Sequence, residues 1–470
     1  MEQHGAARCS YPLEMTTTPV PAASPRTAPP HILIVGGGYV GMYTAHRLLR
    51  RLHDGEARIT VVDPRSYMTY QPFLPEAAAG AVSPRHVAVP LRRVLRGAQV
   101  ITGRVEALAH ARKVATVRPL EGAPYEVAYD QLVMAAGSIS RTLPIPGLAQ
   151  WASGFKTVEE AIQLRNRTLE CLDIAESTRD AAVRERNLAF VFVGGGFAGV
   201  EALAEVEDMA RYATRYFSSI SPDDLRFYLV EAADVILPEV GPEMGRWTLE
   251  QMRTRGIQVR LLTRLESCVD GHVVLSDGEE FDAETVVWTA GVRPSPVLDS
   301  TDLPRDERGR LRCTATLQVE GLDDAWGAGD SARVPDLTGA PDATCAPNAQ
   351  HAVRQAKVLA DNIVATLRGK SVEEYRHRYV GSVAGLGLYQ GVANVYGVKL
   401  KGWPAWFMHR TYHVSRVPTL SRKARVVADW TLGLFFKREI VSLWSMHEPF
   451  GEFQAAAENR PVGGTGRFAA

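Results

Sequence analysis

Six glycines mark where this chain is built to do chemistry. Gly36, Gly38 and Gly41 follow the apolar run Ile32 to Val35, and Gly194, Gly196 and Gly199 follow Phe190 to Val193. Both sets have the G-x-G-x-x-G spacing between a strand-like and a helix-like pattern. The first glycine of such a turn permits the sharp reversal, and the second lets a pyrophosphate approach the backbone. The third lets the helix pack closely on the strand. Freed amides and the helix dipole then hold phosphate charge. Tyr39 and Val40 open the first helix at this point, and Phe197 opens the second. An acid closes the next apolar run each time: Asp63 after Ile59 to Val62, and Glu231 after Phe227 to Val230. Such an acid accepts hydrogen bonds from an adenosine ribose. Ala232 and Ala233 follow Glu231, with no nearby arginine for a 2′-phosphate, which favours NADH over NADPH. One fingerprint alone is weak, and a structural turn is its alternative. Two in one chain point to two redox nucleotides with electrons passing between them.

Three further segments suit a flavin. Leu132 to Met134 runs into Ala135, Ala136 and Gly137, and Val286 to Trp288 runs into Thr289, Ala290 and Gly291. Small residues at a strand end let backbone approach a bound ring, with Ala136 and Gly137 on the FAD side and Gly291 on the NADH side. Asp330 ends a similar run and is placed to bind a ribityl chain. Asn348, Ala349 and Gln350 then open a helical stretch through Ala352, Ala356, Leu359, Ala360 and Ile363. Its positive end would face a ring that becomes anionic on reduction.

These groups need α/β elements to hold them, and 470 residues with 46% hydrophobic content suffice for two or three cores. Acids and bases balance at 53 each, so bulk charge singles out no partner. The five cysteines, Cys9, Cys171, Cys268, Cys313 and Cys345, form no C-x-x-C pair, which predicts no metal site and fits a reducing, cytosolic compartment. No apolar stretch reaches the ~18 residues that span a bilayer. Residues 1–30 are rich in proline, threonine and alanine, and read as a disordered leader.

The end of the chain reads differently. Trp403, Trp406, Trp430 and Trp444 are four of its eight tryptophans. Nine lysines and arginines against one acid, Asp429, lie between Lys399 and Arg438. Trp403, Trp406, Phe407 and Met408 form an aromatic patch. A following helix is expected to carry Val426, Val427, Trp430, Leu434 and Phe435 on one face, flanked by Arg422, Lys423, Arg425, Lys437 and Arg438. Basic flanks with interfacial tryptophans suit a helix lying among anionic headgroups. A packing or dimerisation helix is the alternative. The tryptophans favour lipid, and no nucleic acid partner is expected.

From about Ile32 to Leu443 the chain resembles the type II NADH dehydrogenases, non-proton-pumping NADH:quinone oxidoreductases. The resemblance rests on Pro72 to Gly80 after the second strand, the G-G-G-x-x-G-V-E run from Gly194 to Glu201, and Trp288 to Val292. Gly329-Asp330 and the A-Q-x-A-x-x-Q run from Ala349 to Gln355 complete it. Phe197-Ala198 depart from the family's usual proline and threonine, and Leu388 stands where relatives often carry a basic residue. The resemblance implies FAD and NADH as cofactors and a membrane quinone as acceptor. It places Glu201 beside nicotinamide and flavin, and Gln350 on the quinone side, as the two catalytic candidates. It also implies peripheral attachment through the C-terminal segment, at the cytoplasmic face of the cell membrane, often with homodimerisation. Glu201 has a plainer alternative as a first-turn acid of its helix. His351 and His409 could relay protons, but surface histidines are commoner.

The expected architecture is two Rossmann-like dinucleotide-binding domains, the NADH domain (144–298) inserted in an FAD domain (31–143 and 299–370). A C-terminal amphipathic, membrane-associating segment covers 371–450, and a flexible tail covers 451–470. Two alternatives share parts of this pattern. A sulfide:quinone oxidoreductase would use Cys171 and Cys345 and leave the second fingerprint idle. A flavoprotein that senses NADH to control a protein partner would reduce quinone poorly.

Overall fold

A computed structural model describes residues 28–377 and 380–442. The expected tail, Trp444, Cys9 and all but the last residues of the expected leader lie outside them.

The first fingerprint joins β1 (His31–Val35) to α1 (Tyr39–Arg51), which leads to β2 (Arg58–Asp63). All of β1 is buried. Helices and neighbouring strands cover both its faces, so it reads as an unbroken apolar run instead of an alternating one. A short helix, α2 (Leu74–Ala78), comes from the segment after β2. β3 (Gln99–Ala109) pairs parallel with β2, and β4 (Val114–Pro119) and β5 (Tyr125–Ala128) fold back antiparallel from it. β6 (Gln131–Met134) lies parallel on the other side of β1.

The chain then crosses to a second sheet, formed by β7 (Ser153–Gly154), β8 (Ala189–Val193), β9 (Arg226–Val230), β10 (Gln258–Arg260) and β11 (Thr285–Trp288). It is wholly parallel, in the order β7-β11-β8-β9-β10. Helix α3 (Val158–Ser177) precedes β8, and α4 (Phe197–Ala213) leaves the second fingerprint. Thr157 and Glu160 cap α3 reciprocally, side chain to backbone. Helix α5 (Pro242–Thr254) bridges β9 and β10. The crossings between sheets lie side by side: Ser138–Ser140 pairs antiparallel with Val292–Pro294.

The chain returns to the first sheet through β12 (Ala325–Gly327), which pairs with β6 to give the order β12-β6-β1-β2-β3-β4-β5. Helix α6 (Ala349–Leu367) packs along α1, where Arg47 and Asp361 form a two-point ion pair of 2.8 and 2.5 Å. Asn348 caps α6 by accepting from the His351 amide. This is the α/β class with two Rossmann-like sheets that the paired fingerprints predict.

The C-terminal part forms an antiparallel sheet of β13 (Gly381–Gly385), β14 (Gly391–Val395) and β15 (Val398–Lys401), then α7 (Trp403–Arg416) and α8 (Leu420–Phe435). Two expectations need correction. Trp406 is buried beside Tyr389, and only Trp403 and Phe407 stack on the outside, with centroids 5.6 Å apart. Val426 and Trp430 of α8 also point inward. Trp430 packs edge-on against Phe73, and Leu420, Val427, Leu434 and Phe435 form the exposed face. Helix α8 has apolar residues on two sides, and only its packing partners separate them. No helix among the described residues is long and apolar enough to cross a membrane.

Candidate functional site

The two fingerprints fold into the same lock. Asp63 accepts from the Gly37 amide at 2.6 Å and the Arg65 amide at 2.7 Å. Glu231 accepts from the Gly195 amide at 2.5 Å and the Ala233 amide at 2.7 Å. Each acid thus holds the middle of its own glycine turn, with lone pairs left for ribose hydroxyls. Gly36 and Gly194 adopt φ of +103° and +115°, which glycine favours. A Cβ on Gly41 would lie 1.8 Å from the Gly36 carbonyl oxygen, and one on Gly199 would lie 2.0 Å from that of Gly194. Gly38 and Gly196 are the opposite case, since a Cβ there meets nothing within 4 Å. They are the helix N-caps and make no side-chain cap, so the first amides of α1 and α4 stay available to an anion. The residues present therefore fit two dinucleotides.

The strand ends support this fit. Gly137 and Gly291 take positive φ beside open space. Thr289 donates to the Val193 carbonyl at 2.9 Å and fixes the second turn, and the Trp288 indole reaches across to the Arg141 carbonyl at 2.7 Å. Asp330 accepts from Ser138 Oγ at 2.6 Å, and Gly329 packs against Val40. Lys156 carries no signal in the sequence pattern. Its Nζ donates to Ser138 at 2.5 Å and lies 3.9 Å from Asp330, joining the start of the second unit to the acid that follows β12. Burial lowers its pKa, against the pull of Asp330 and Glu160. The Tyr39 hydroxyl is buried and makes no full hydrogen bond among the described residues, with the Gln71 backbone beside it.

Glu201, buried on α4, accepts from the Gly385 amide at 2.8 Å. His409 of α7 approaches the same oxygen to 3.2 Å at an angle too oblique for a full hydrogen bond, so the contact is an ion pair. Burial works against the His409 charge, but Glu201, Glu76 and Glu205 outweigh it and raise its pKa. His413, with its ring centroid 4.6 Å away, is held neutral by burial and by His409. Glu76 accepts from the Trp430 indole at 2.6 Å and meets Arg410, whose guanidinium lies between the rings of Trp406 and Trp430. Aromatic residues of the first unit, Tyr70 and Phe73, close the other side against His413. His409 is the proton-relay candidate that the sequence offered without a catalytic role, and no sequence pattern marks His413, Glu76 or Glu205 for one. Their distances along the chain leave no pattern to find.

Gln350 lies apart from Glu201 in its contacts. Its amide donates to the Gly381 carbonyl at 3.3 Å and accepts from His377 at 3.0 Å, tying α6 to β13. His351 is buried against Tyr375. At Leu388 the nearby cation comes from Arg255, which donates to the Leu386 carbonyl at 2.6 Å and is paired to the buried Glu207. Burial pushes the Cys171 thiol up to about 12 and that of Cys345 up to about 11. Neither is the thiolate that sulfide chemistry needs.

Comparison with known proteins follows the same lines. The profile of the pyridine nucleotide-disulphide oxidoreductases matches residues 30–356. The chain is 26% identical to the type II NADH:quinone oxidoreductase of Mycobacterium tuberculosis over 430 residues, 88% of this chain and 90% of that one. It is 30% identical to the type II NADH:quinone oxidoreductase of Staphylococcus aureus, over 81% of this chain and 93% of that one. The structure of NDH2 from Plasmodium falciparum in complex with NADH superposes with a TM-score of 0.81 at 17% identity, covering 88% of this chain and 99% of that one.

Proposed function

The chain belongs to the pyridine nucleotide-disulphide oxidoreductases and, among them, to the type II NADH:quinone oxidoreductases, and on that premise we propose how its residues share the reaction. It is a flavoprotein with FAD and NADH as its nucleotides, and it passes electrons from NADH to quinone. Bound FAD would supply the redox chemistry that links NADH to quinone.

The first turn, with Gly36, Gly38, Tyr39, Val40, Gly41 and Asp63, holds FAD. Ala136, Gly137, Asp330, Ala349 and Gln350 line the same cradle. Gly194, Gly196, Phe197, Gly199, Glu231 and Gly291 hold NADH. Segments 31–143 and 299–370 make up the FAD domain around an NADH domain at 144–298. The observation that carries this assignment is the repeated lock, in which Asp63 and Glu231 each hold the central amide of a turn whose second glycine faces open space.

Glu201 stands where α4, β13 and α7 meet, and there it positions the nicotinamide end and exchanges protons with His409. The protein's own part is placement and electrostatics. Quinone approaches through the C-terminal part, from a membrane on whose surface Trp403, Phe407 and the outer face of α8 rest. Arg425 and Lys437 are exposed beside that face, and basic groups near an anionic surface add about 1 kcal/mol each before screening. We assign the attachment to the cytoplasmic face, with a homodimer as a further expectation.

The test is direct. Purified protein is yellow, NADH bleaches it faster than NADPH does, and a short-chain quinone restores the colour. Colourless protein that takes up no flavin, or a yellow preparation that NADH leaves unbleached, overturns the assignment. Stable bleaching in the presence of quinone favours an NADH-sensing role instead.

A further inference from the structure

Glu205 lies one turn after Glu201 on α4 and is 4% exposed. No hydrogen bond or ion pair to it exists among the described residues; only burial and charges at a distance act on it. A carboxyl buried in this way is costly to keep, and its neutral form is cheaper to bury than its anion. Charged neighbours reach it from several elements: Glu76 on α2, His409 and Arg410 on α7, Arg438 after α8, and Glu201 and Asp208 on its own helix. Arg410 meets Glu76 and two indole rings, and Arg438 meets Asp208; Arg410 Nε and Arg438 Nη1 have no hydrogen-bond partner among the described residues, and neither pairs with Glu205. Burial, with Glu76 second, raises the carboxyl to about 7.

The stoichiometry of the reaction calls for such a group. Hydride from NADH brings two electrons and one proton, and quinol formation takes two electrons and two protons. The balance is NADH, quinone and one solvent proton giving NAD⁺ and quinol. Resting on the NADH:quinone reading above, we propose that Glu205 stores this solvent proton and delivers it through the Glu201–His409 pair to the quinone-reducing site. The O–H bond of Glu205 breaks as the proton leaves, the resulting carboxylate is balanced by Arg410 and Arg438, and solvent then returns the proton. Glu205 acts through its neighbours, so it is a proton-holding residue and not one that touches quinone.

Infrared difference spectra in D₂O and pH profiles test this on the flavin-loaded enzyme. The wild type shows a protonated-carboxyl band below neutral pH, and Glu205→Gln lacks it. Wild-type quinone turnover falls as pH rises through about 7, by up to about tenfold per pH unit. Glu205→Gln is several-fold slower at acidic pH and loses that fall. Bleaching by NADH without quinone is the same in both. Glu205→Asp keeps the band and a displaced fall, which separates proton storage from packing. An unchanged pH profile in Glu205→Gln, or no such band in the wild type, overturns the proposal. Failure of NADH to bleach the wild type instead overturns the underlying assignment, and this proposal falls with it.

Discussion

The indole of Trp430 donates to the buried carboxylate of Glu76 over 2.6 Å, so the last helix is fastened to the segment that follows the first nucleotide cradle. Its ring also packs edge-on against Phe73, with centroids 5.5 Å apart. A residue of the type expected at a membrane interface is thus a strut between the C-terminal part and the segment after β2. Trp430→Phe keeps the ring contact and removes the donor, leaving a buried acceptor short of one bond. The expected loss is about 1–3 kcal/mol, read from denaturant unfolding. Unchanged stability would show that Arg410 satisfies Glu76 by itself.

The glycines of the second turn separate folding from binding. Gly199→Ala places a methyl 2.0 Å from the Gly194 carbonyl oxygen and 2.6 Å from Thr289 Oγ1, with backbone on one side. It should cost at least ~1–3 kcal/mol of stability. Gly196→Ala enters open space, so melting stays near the wild-type value while KM for NADH rises about tenfold or more, as the methyl occupies the phosphate approach. The idea fails if Gly196→Ala binds NADH normally.

Glu231→Gln exchanges a carboxylate for an amide at the Gly195 lock. A charge-assisted bond is roughly twice as strong as a neutral one, so KM for NADH should rise about tenfold with bound FAD and saturated turnover kept. Loss of FAD from this variant would place Glu231 at the other cradle.

Acid should destabilise the fold through histidines kept neutral. Burial lowers the pKa of His31, His351 and His413, and that of His377 falls to about 4. The unfolded chain titrates these groups near 6.5 and so binds more protons than the native state below that pH. Stability therefore declines as pH falls from about 6.5 towards 4. His409 and Glu205 act in the opposite sense, because their raised values favour the protonated form and that contribution is lost as pH rises through them. Thermal unfolding across pH should peak near neutrality, and His413→Gln should flatten the acid side. An acid side as steep as in the wild type would exclude His413.

The outer face of α8 supplies a further contrast. Leu434 and Phe435 are 69% and 78% exposed, and Val426 is buried. Replacing Leu434 or Phe435 by serine should weaken sedimentation with anionic vesicles by about 1.5–3 kcal/mol per side chain, without affecting NADH bleaching. Vesicle binding that ignores both changes would assign the face to a second subunit.

The cradles were legible because their signals are local. A tight turn demands glycine, a buried parallel strand demands an apolar run, and Asp63 and Glu231 at the strand ends each hold the central amide of a turn. The same locality explains what was misread. Periodicity in Leu420–Phe435 identifies a helix, but it does not say which of two apolar sides meets Phe73 and Glu76 and which meets solvent.

The sequence by itself determined the fold class and the two nucleotides, since the glycine turns and buried strands behind them follow from backbone geometry within a few residues. Only the tertiary structure decided that His409, Glu76 and Arg410 surround Glu201 and Glu205, and that Lys156 joins Ser138 and Asp330. Those groups come from separate elements, and their charges are set by shared burial, a property of the packed molecule that no stretch of chain carries alone.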